Sequence, residues 1–273
     1  MGLGPPDGRA PPRPSMSAPV VVKLGGAVLA DAGALAAVWA GVRASPAPVV
    51  VVHGGGPQAT ALARRLGHEP RVVAGRRVTT DLDLDVLLWT LRGELNARLV
   101  ASGAVAGVRA VGVSGADGGL VVVERRPPRP VDGDVIDFGH VGDVVAVDPT
   151  VLLVLTAAGF TPVVASVSAD AEGALYNVNA DTVAAEVAAA LGAGRLDLVT
   201  EAGGVRRDAA DPGSLVRRLT ASEAEAAVAE GWVAGGMRVK LETAVAALGR
   251  GVRSVRVCAA ADLGGAGGTV VVP

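Results

Sequence analysis

Short runs of valine that end at glycine turns constrain the fold of this chain more than any other feature. Val20–Leu24 leads directly into Gly25–Gly26, and Val49–Val52 is followed after one residue by Gly54–Gly56. The stretch after the second turn, Gln58–Leu66, has the composition of a helix. Continuous apolar runs, as opposed to alternating apolar and polar residues, are typical of strands buried on both faces. The pattern therefore predicts parallel strands covered by helices on both sides.

The same alternation of strand, turn and helix continues to the end of the chain. Further predicted strands are Ala110–Val113, Leu120–Glu124, Asp143–Val147, Thr161–Ala165, Leu196–Thr200, Val252–Val257 and Thr269–Val272. Further predicted helices are Ala30–Val42, Leu84–Ser102, Thr150–Ala158, Asp181–Leu191, Ala221–Glu230 and Val239–Leu248. We predict an α/β fold, a three-layer αβα sandwich with a mostly parallel central sheet. Residues 1–18 are rich in Pro and Gly and are predicted to be a disordered extension.

Composition excludes several classes of function. The formal net charge is −2, from 25 basic and 27 acidic residues, so nothing favours nucleic acid as a partner. The single cysteine, Cys258, excludes an intrachain disulfide and a cysteine-based zinc cluster. The three histidines are too few and too scattered for a histidine-rich metal site. No apolar run reaches the roughly 18–20 residues that cross a bilayer, and we expect a cytoplasmic protein.

Two lysines stand where an unpaired charge would be costly. Lys23 interrupts the apolar run VVVKL, and Lys240 follows Gly235–Gly236 in a chain whose positive charge comes mostly from arginine. Burying an unpaired ammonium group is unfavourable, so we expect both to face an anion. Asp181 belongs to the polar run NVNAD at 177–181, which could cap a helix or serve a site. In the second case Asp181 could pair with the lysines, and an asparagine could bind a carboxylate or an amide.

The glycine turns and one arginine complete the candidate set. Glycine lets backbone N–H groups approach an anion closely, and the start of a helix adds a favourable dipole. Neither turn has the pattern of a Walker P-loop or of a dinucleotide fingerprint. Arg77 lies ahead of a predicted helix and could bind a carboxylate with both arms of its guanidinium, with Arg76 as a neighbouring alternative.

Together these motifs resemble the amino acid kinase family, from Val20 to Val272. The motifs that carry the resemblance, in order, are VVKLGG at 21–26, VVHGGGPQ at 51–58, GRRVT at 75–79, GVSGADGG at 112–119, GHVGDV at 139–144, YNVNADTVA at 176–184, GGMRVK at 235–240 and GGT at 267–269. The resemblance implies ATP-dependent phosphorylation of the side-chain carboxylate of N-acetyl-L-glutamate, a step of arginine biosynthesis. It also implies a lobe over residues 19–175 for substrate binding and dimerisation, and a lobe over residues 176–273 for the nucleotide.

The resemblance also assigns roles to single residues. Lys23 and Lys240 would bridge the transferring phosphoryl group, with Asp181 organising them. The acetylated amino acid would be held by Gly55, Gly56, Arg77 and Asn177. The phosphates and the nucleotide would be bound by Gly25, Gly26, Gly54, Glu201, Gly204 and Arg206, with Trp232–Ala234 bordering the adenine nucleotide. No metal ligand is expected from the protein, because Mg²⁺ would arrive bound to the phosphates of ATP.

Two departures from the family pattern keep alternatives open. Glu201–Gly204 replaces an Asp-Val-Pro-Gly-like run, and Gly235 precedes Gly236–Met237 where an acidic residue is common. Both changes lie on the nucleotide side, and they leave room for a non-catalytic amino-acid sensor. A kinase for glutamate or aminoadipate attached to a carrier protein is the nearer alternative, although the run Arg77–Asp81 lacks its second arginine. Without the N-terminal helix of hexameric members, a homodimer without arginine feedback is expected.

Overall fold

The computed structural model describes residues 17–131 and 133–273. The predicted disordered extension, apart from its last two residues, lies outside the described residues. The strands are β1 (Val20–Leu24), β2 (Val49–His53), β3 (Val72–Val73), β4 (Arg76–Arg77), β5 (Ala110–Ser114), β6 (Val121–Arg125), β7 (Arg129–Val131), β8 (Asp134–Ile136), β9 (Gly142–Val147), β10 (Thr161–Ala165), β11 (Val167–Ala169), β12 (Leu175–Asn177), β13 (Arg195–Val199), β14 (Arg218–Thr220), β15 (Val255–Cys258) and β16 (Thr269–Val272). The α-helices are α1 (Gly26–Ala30), α2 (Ala32–Ala44), α3 (Gly56–Arg65), α4 (Asp81–Leu87), α5 (Asn96–Val105), α6 (Thr150–Ala157), α7 (Ala180–Ala190), α8 (Ala221–Ala229) and α9 (Gly235–Gly249).

An eight-stranded sheet forms the centre of the molecule, in the order β14-β16-β15-β13-β1-β2-β10-β5. Its neighbouring strands are parallel except for β15 and β16, which are antiparallel. Alternate residues of β1 enter two different cores: Val21 packs with α7, α8 and α9 residues, whereas Val22 packs with Trp39 of α2. Helices therefore cover both faces, and the predicted α/β sandwich with a mostly parallel sheet is confirmed.

A smaller sheet and two hairpins lie beside the central sheet. The smaller sheet has the order β12-β11-β6-β9, and β6 and β9, both predicted as strands, pair antiparallel. The hairpins β3–β4 and β7–β8 were not predicted. Their strands have only two or three residues, which is too short for a period to show in the sequence. Helix α9 begins four residues earlier than predicted, since two glycines of low helix propensity occupy its first turn.

One long helical stretch changes its winding in the middle. Helices α4 and α5 are joined by a π-helical segment, Leu88–Leu95, within the region predicted as one helix. Leu91 and Leu95 of this segment pack on the second glycine turn, where a Cβ at Gly55 would overlap Leu95 Cδ1. The turn thus needs glycine for space as well as for its positive φ of 157°. In the described part of the chain, no helix is long and apolar enough to cross a membrane.

Candidate active site

The two glycine turns meet at one edge of the central sheet. Strands β1 and β2 are parallel and in register, with Leu24 opposite His53, so both turns lie at the carboxyl edge of the sheet. Helices α1 and α3 begin at Gly26 and Gly56. The side chain of Gln58 ties the turns together by donating from Nε2 to the carbonyl of Gly26 at 2.7 Å. Ligands of parallel sheets bind at this edge.

A cavity of about 250 Å³ opens at the two turns. Its wall contains most of the residues predicted for catalysis and substrate binding, namely Lys23, Asp181, Gly55, Gly56, Arg77 and Asn177. The wall also contains three of the residues predicted to bind the phosphates, Gly25, Gly26 and Gly54. It also contains Arg76 and Arg126, of which Arg126 had no predicted role. Cationic side chains and glycine turns thus line the same cavity, and this combination is suited to anionic ligands.

Asp181 lies between the two lysines. Its Oδ1 is 2.9 Å from Nζ of Lys23 and 3.7 Å from Nζ of Lys240. Lys23 comes from β1, Asp181 from the first turn of α7 and Lys240 from α9, so the cluster joins segments that are far apart in sequence. Asn179 caps α7 by accepting from the backbone N–H of Asp181 at 2.8 Å. The polar run therefore does both things considered from the sequence: Asn179 caps the helix, and Asp181 pairs with the lysines.

The protonation states of this cluster follow from burial and charge. Burial alone would raise the pKa of the Asp181 carboxyl, but the charges of Lys23 and Lys240 and their hydrogen bonds hold that pKa below its usual range. Burial and the charge of Lys23 lower the pKa of Lys240, and Asp181 opposes this shift. Asp181 is ionised at neutral pH, and one carboxylate then faces two ammonium groups, so a positive charge remains for an incoming anion.

Arg77 enters the cavity from the small hairpin β3–β4. Its Nη1 donates to Oδ1 of Asp83 at 3.1 Å, and its Nη2 donates to Oγ1 of Thr60 at 2.6 Å and to the carbonyl of Gly56 at 3.4 Å. The Arg77 side chain is only 10% exposed. A guanidinium has five N–H donors, so N–H groups beyond these contacts are left to bind a ligand in the cavity.

Asn177 lies in the cavity wall at the end of β12. Its Nδ2 donates to Oγ1 of Thr79 at 3.1 Å, and its backbone N–H donates to the carbonyl of His140. Because Thr79 follows Arg77 by two residues, the same short segment carries the arginine and supports the asparagine. The side-chain carbonyl oxygen of Asn177 accepts no hydrogen bond from the described residues, and Asn177 lines the cavity.

Three of the residues predicted for the nucleotide lie apart from this cavity. Glu201, Gly204 and Arg206 are not in its wall, and Glu201 is exposed. The segment that carries them is nevertheless close to the second predicted nucleotide segment, because the guanidinium of Arg207 stacks on the ring of Trp232 at 5.0 Å. Lys240, whose ammonium group pairs with Asp181, is likewise outside the cavity wall.

Sequence reasoning missed Asp83 and Arg126. Asp83 stands three residues after Thr80, and this spacing of a capping box could have marked it as buried. Arg126 is 7% exposed and donates to Oδ1 of Asp143 from Nε and Nη2, at 2.9 and 2.6 Å. No local pattern indicated this contact, because the partners are 17 residues apart and the segment between them is rich in proline.

His53 and Cys258 are buried and take no part in the anionic site. Burial lowers the pKa of His53 to about 4, although its hydrogen bond to the Gly54 carbonyl opposes this. Nδ1–H donates to that carbonyl at 2.9 Å, and Nε2 accepts from Nδ2 of Asn96 at 3.0 Å. Burial also raises the pKa of the Cys258 thiol to about 12. At neutral pH both groups are uncharged, which suits a structural role.

Comparison with known proteins agrees with this fold. The model of the amino acid kinase family matches residues 18–259, and the chain belongs to that family. The acetylglutamate kinase of Symbiobacterium thermophilum is 43% identical over 87% of this chain and 83% of that protein. The acetylglutamate kinase of Sorangium cellulosum is 42% identical over 96% of this chain and 97% of its own length.

A solved structure extends the comparison to three dimensions. The N-acetylglutamate synthase of Neisseria gonorrhoeae, complexed with coenzyme A and N-acetyl-glutamate, superposes with a TM-score of 0.77 at 25% identity. The superposition covers 94% of this chain and 59% of that one. The fold described above is thus shared with an acetylglutamate-binding protein that is named for a different reaction.

Proposed function

We propose that this chain phosphorylates the side-chain carboxylate of N-acetyl-L-glutamate with ATP, giving N-acetyl-glutamyl phosphate and ADP, as a step of arginine biosynthesis. The observation that carries the proposal is the buried Asp181 carboxylate, one oxygen of which contacts both Lys23 and Lys240, in a site that also holds Arg77. The two acetylglutamate kinases described above support the same activity.

The reaction needs charge neutralisation more than proton transfer. The attacking carboxylate is already ionised at neutral pH, so its oxygen can attack the γ-phosphorus of ATP without a base. The bond from that phosphorus to the β–γ bridging oxygen breaks, and ADP leaves. Lys23 and Lys240 would neutralise the charge that spreads over the transferring phosphoryl oxygens. Asp181 would hold both ammonium groups in place.

The rest of the site would bind and orient the substrates. Arg77 would hold the α-carboxylate of the acyl amino acid, with Asn177, Gly55 and Gly56 around it. Backbone N–H groups of Gly25, Gly26 and Gly54 would contact the phosphates. Mg²⁺ would neutralise part of the ATP charge, held mainly by the phosphates, since Asp181 is already paired with two ammonium groups.

The nucleotide would bind to the segment over 176–273. Glu201, Gly204 and Arg206 belong to a loop that is fixed to β16, because the backbone N–H of Val205 donates to Oγ1 of Thr269 at 2.8 Å. The contact between Arg207 and Trp232 supports a common nucleotide edge for this loop and Trp232–Ala234. Residues 19–175 would then form the substrate lobe. The two lobes share the central sheet, in which β1 of the substrate lobe pairs with β13 of the nucleotide lobe.

We also propose a cytoplasmic homodimer without arginine feedback. The exposed side chains of Leu82 and Trp89, 40% and 54% accessible, lie on the long helical stretch that begins with α4. Apolar side chains of this size at the surface are suited to contact with a second copy of the chain.

Replacing Arg77 tests the substrate assignment. We expect Arg77→Ala to raise KM for N-acetyl-L-glutamate by about 10- to 150-fold, since a charge-assisted contact contributes roughly 1.5–3 kcal/mol. KM for ATP should change little. The measurement is steady-state kinetics with each substrate varied in turn, and carrier-linked glutamate is assayed in parallel to test the alternative substrate.

Arg76→Ala is the matched control. Arg76 is the adjacent residue and lines the same cavity, but it is exposed and makes no ion pair with any residue in 17–131 or 133–273. We expect it to raise the same KM by less than about threefold, the range of a weak surface contact. Equal effects of the two substitutions would contradict the assignment of the α-carboxylate to Arg77.

A further inference from the structure

The buried carboxylate of Asp83 stands directly behind Arg77. Its side chain is 1% exposed, and its Oδ1 accepts from Nη1 of Arg77 at 3.1 Å. Its Oδ2 accepts from the backbone N–H and the hydroxyl of Thr80, at 3.2 and 2.7 Å. Thr80 in turn accepts from the Asp83 N–H, so the two residues form the capping box of α4. Capping the helix accounts for the hydrogen bonds to Oδ2 of Asp83, but it does not account for the contacts of Oδ1.

A second basic side chain, that of His68, contacts Oδ1 of Asp83. Nε2 of His68 lies 3.1 Å from Oδ1 of Asp83, and the His68 side chain is about one-quarter exposed. Burial alone would raise the pKa of the Asp83 carboxyl, but hydrogen bonds from Thr80 and Arg77 and the close approach of His68 lower it overall. Asp83 is therefore a charged anchor at neutral pH. The residues that face it come from the loop after α3, from β4 and from the start of α4.

Arg77 depends on this anchor more than on its other contacts. It lies on a two-residue strand that pairs only with the equally short β3. Its other partners, Thr60 Oγ1 and the Gly56 carbonyl, are uncharged, and Asp83 is its only ion-pair partner in the described part of the chain. A free arginine side chain would lose considerable rotamer freedom when it binds a ligand. An arginine that is already fixed avoids most of that cost.

We propose that Asp83 is a positioning residue for substrate binding, which fixes the guanidinium of Arg77 so that its remaining N–H groups are ready for the α-carboxylate of the acyl amino acid. The inference rests on the proposed function, because it takes Arg77 as the residue that binds this carboxylate. Asp83 acts through Arg77 and has no contact with the reacting atoms. Its removal should therefore affect binding of the acyl amino acid and leave the ATP side unchanged.

The decisive experiment compares Asp83→Asn with Thr80→Ala. We expect Asp83→Asn to raise KM for N-acetyl-L-glutamate about tenfold, the factor that corresponds to ordering one long side chain during binding. KM for ATP and kcat should stay within about twofold, because the phosphoryl-transfer groups are untouched. Thr80→Ala removes the helix cap and leaves the pair of Arg77 and Asp83. It should lower stability and leave both KM values unchanged.

Two further measurements separate the possible failures. Asp83→Glu keeps the charge and displaces it by one methylene, so we expect an intermediate KM, and this variant serves if Asp83→Asn does not fold. If the wild type binds N-acetyl-L-glutamate without turnover, calorimetric Kd values give the same comparison of variants. That outcome would contradict the proposed function and leave the positioning role open to the test. A rise in KM or Kd for Asp83→Asn no larger than that for Thr80→Ala would overturn the positioning role. A wild type that neither binds nor phosphorylates the compound would overturn both proposals.

Discussion

Lys240→Ala is expected to reduce kcat by a factor of about 10²–10³, the loss typical of removing one group that stabilises transition-state charge. Nζ of Lys240 is held 3.7 Å from Oδ1 of Asp181, the oxygen that Lys23 also contacts, so its removal leaves the phosphoryl group with one ammonium instead of two. Asp181 keeps its ion pair with Lys23, at 2.9 Å, and the variant should therefore fold. The measurement is the steady-state rate of ADP formation at saturating ATP and N-acetyl-L-glutamate.

Arg238→Ala provides the control for this substitution. Arg238 lies two residues earlier on α9, is exposed, and pairs with Glu242 at 2.7 Å on the helix surface. Such surface pairs contribute roughly 0.3–0.5 kcal/mol, so kcat should be unchanged within about twofold. If Lys240→Ala retained more than a tenth of the wild-type kcat while Arg238→Ala behaved similarly, Lys240 would have no role in the chemical step.

Asp197→Asn is expected to destabilise the fold by about 3–5 kcal/mol, because breaking a buried ion pair leaves an uncompensated charge. Asp197 is fully buried in β13, and its oxygens accept from Nε and Nη2 of Arg256, at 2.8 and 3.1 Å. Arg256 is itself 3% exposed and also donates to carbonyls of the segment before β16. Both residues lie on neighbouring strands of the central sheet. The free energy of unfolding, from urea titration, is the quantity to compare.

Arg195→Ala separates the buried pair from its exposed neighbour. Nε of Arg195 also donates to Asp197 at 2.8 Å, but its side chain is 37% exposed. Removing it leaves Asp197 paired with Arg256, so we expect a loss of about 1 kcal/mol or less. Equal losses for the two variants would show that the buried charge has no special importance. Activity should survive in both, since Arg195, Asp197 and Arg256 do not line the cavity at the glycine turns.

The features that were predictable from the sequence are those with strong local patterns. Valine runs marked β1 and β2, and their glycine turns marked the carboxyl edge of the sheet, where the cavity lies. Lys23 and Lys240 are the only lysines in the sequence, and both lie beside Asp181. A lysine within an apolar strand is costly unless it has an anionic partner, and this physical reason pointed to the correct neighbours.

The features that escaped prediction depend on short elements and long-range contacts. Hairpin β3–β4 has two residues in each strand, so no periodicity could reveal it, and yet it carries Arg77. Arg126 meets Asp143 only because β6 and β9 pair across a long connection. The π-helical segment Leu88–Leu95 places Leu91 and Leu95 against Gly55, a long-range contact that a composition favouring a helix cannot show.

The most direct test of the central claim is to detect the acyl phosphate itself. Purified protein would be incubated with ATP, Mg²⁺ and N-acetyl-L-glutamate, and the product would be trapped with hydroxylamine and quantified beside ADP. We predict equal amounts of hydroxamate and ADP, with neither formed when the acyl amino acid is omitted. ADP without hydroxamate, or no turnover at all with the free compound, would contradict the proposed function.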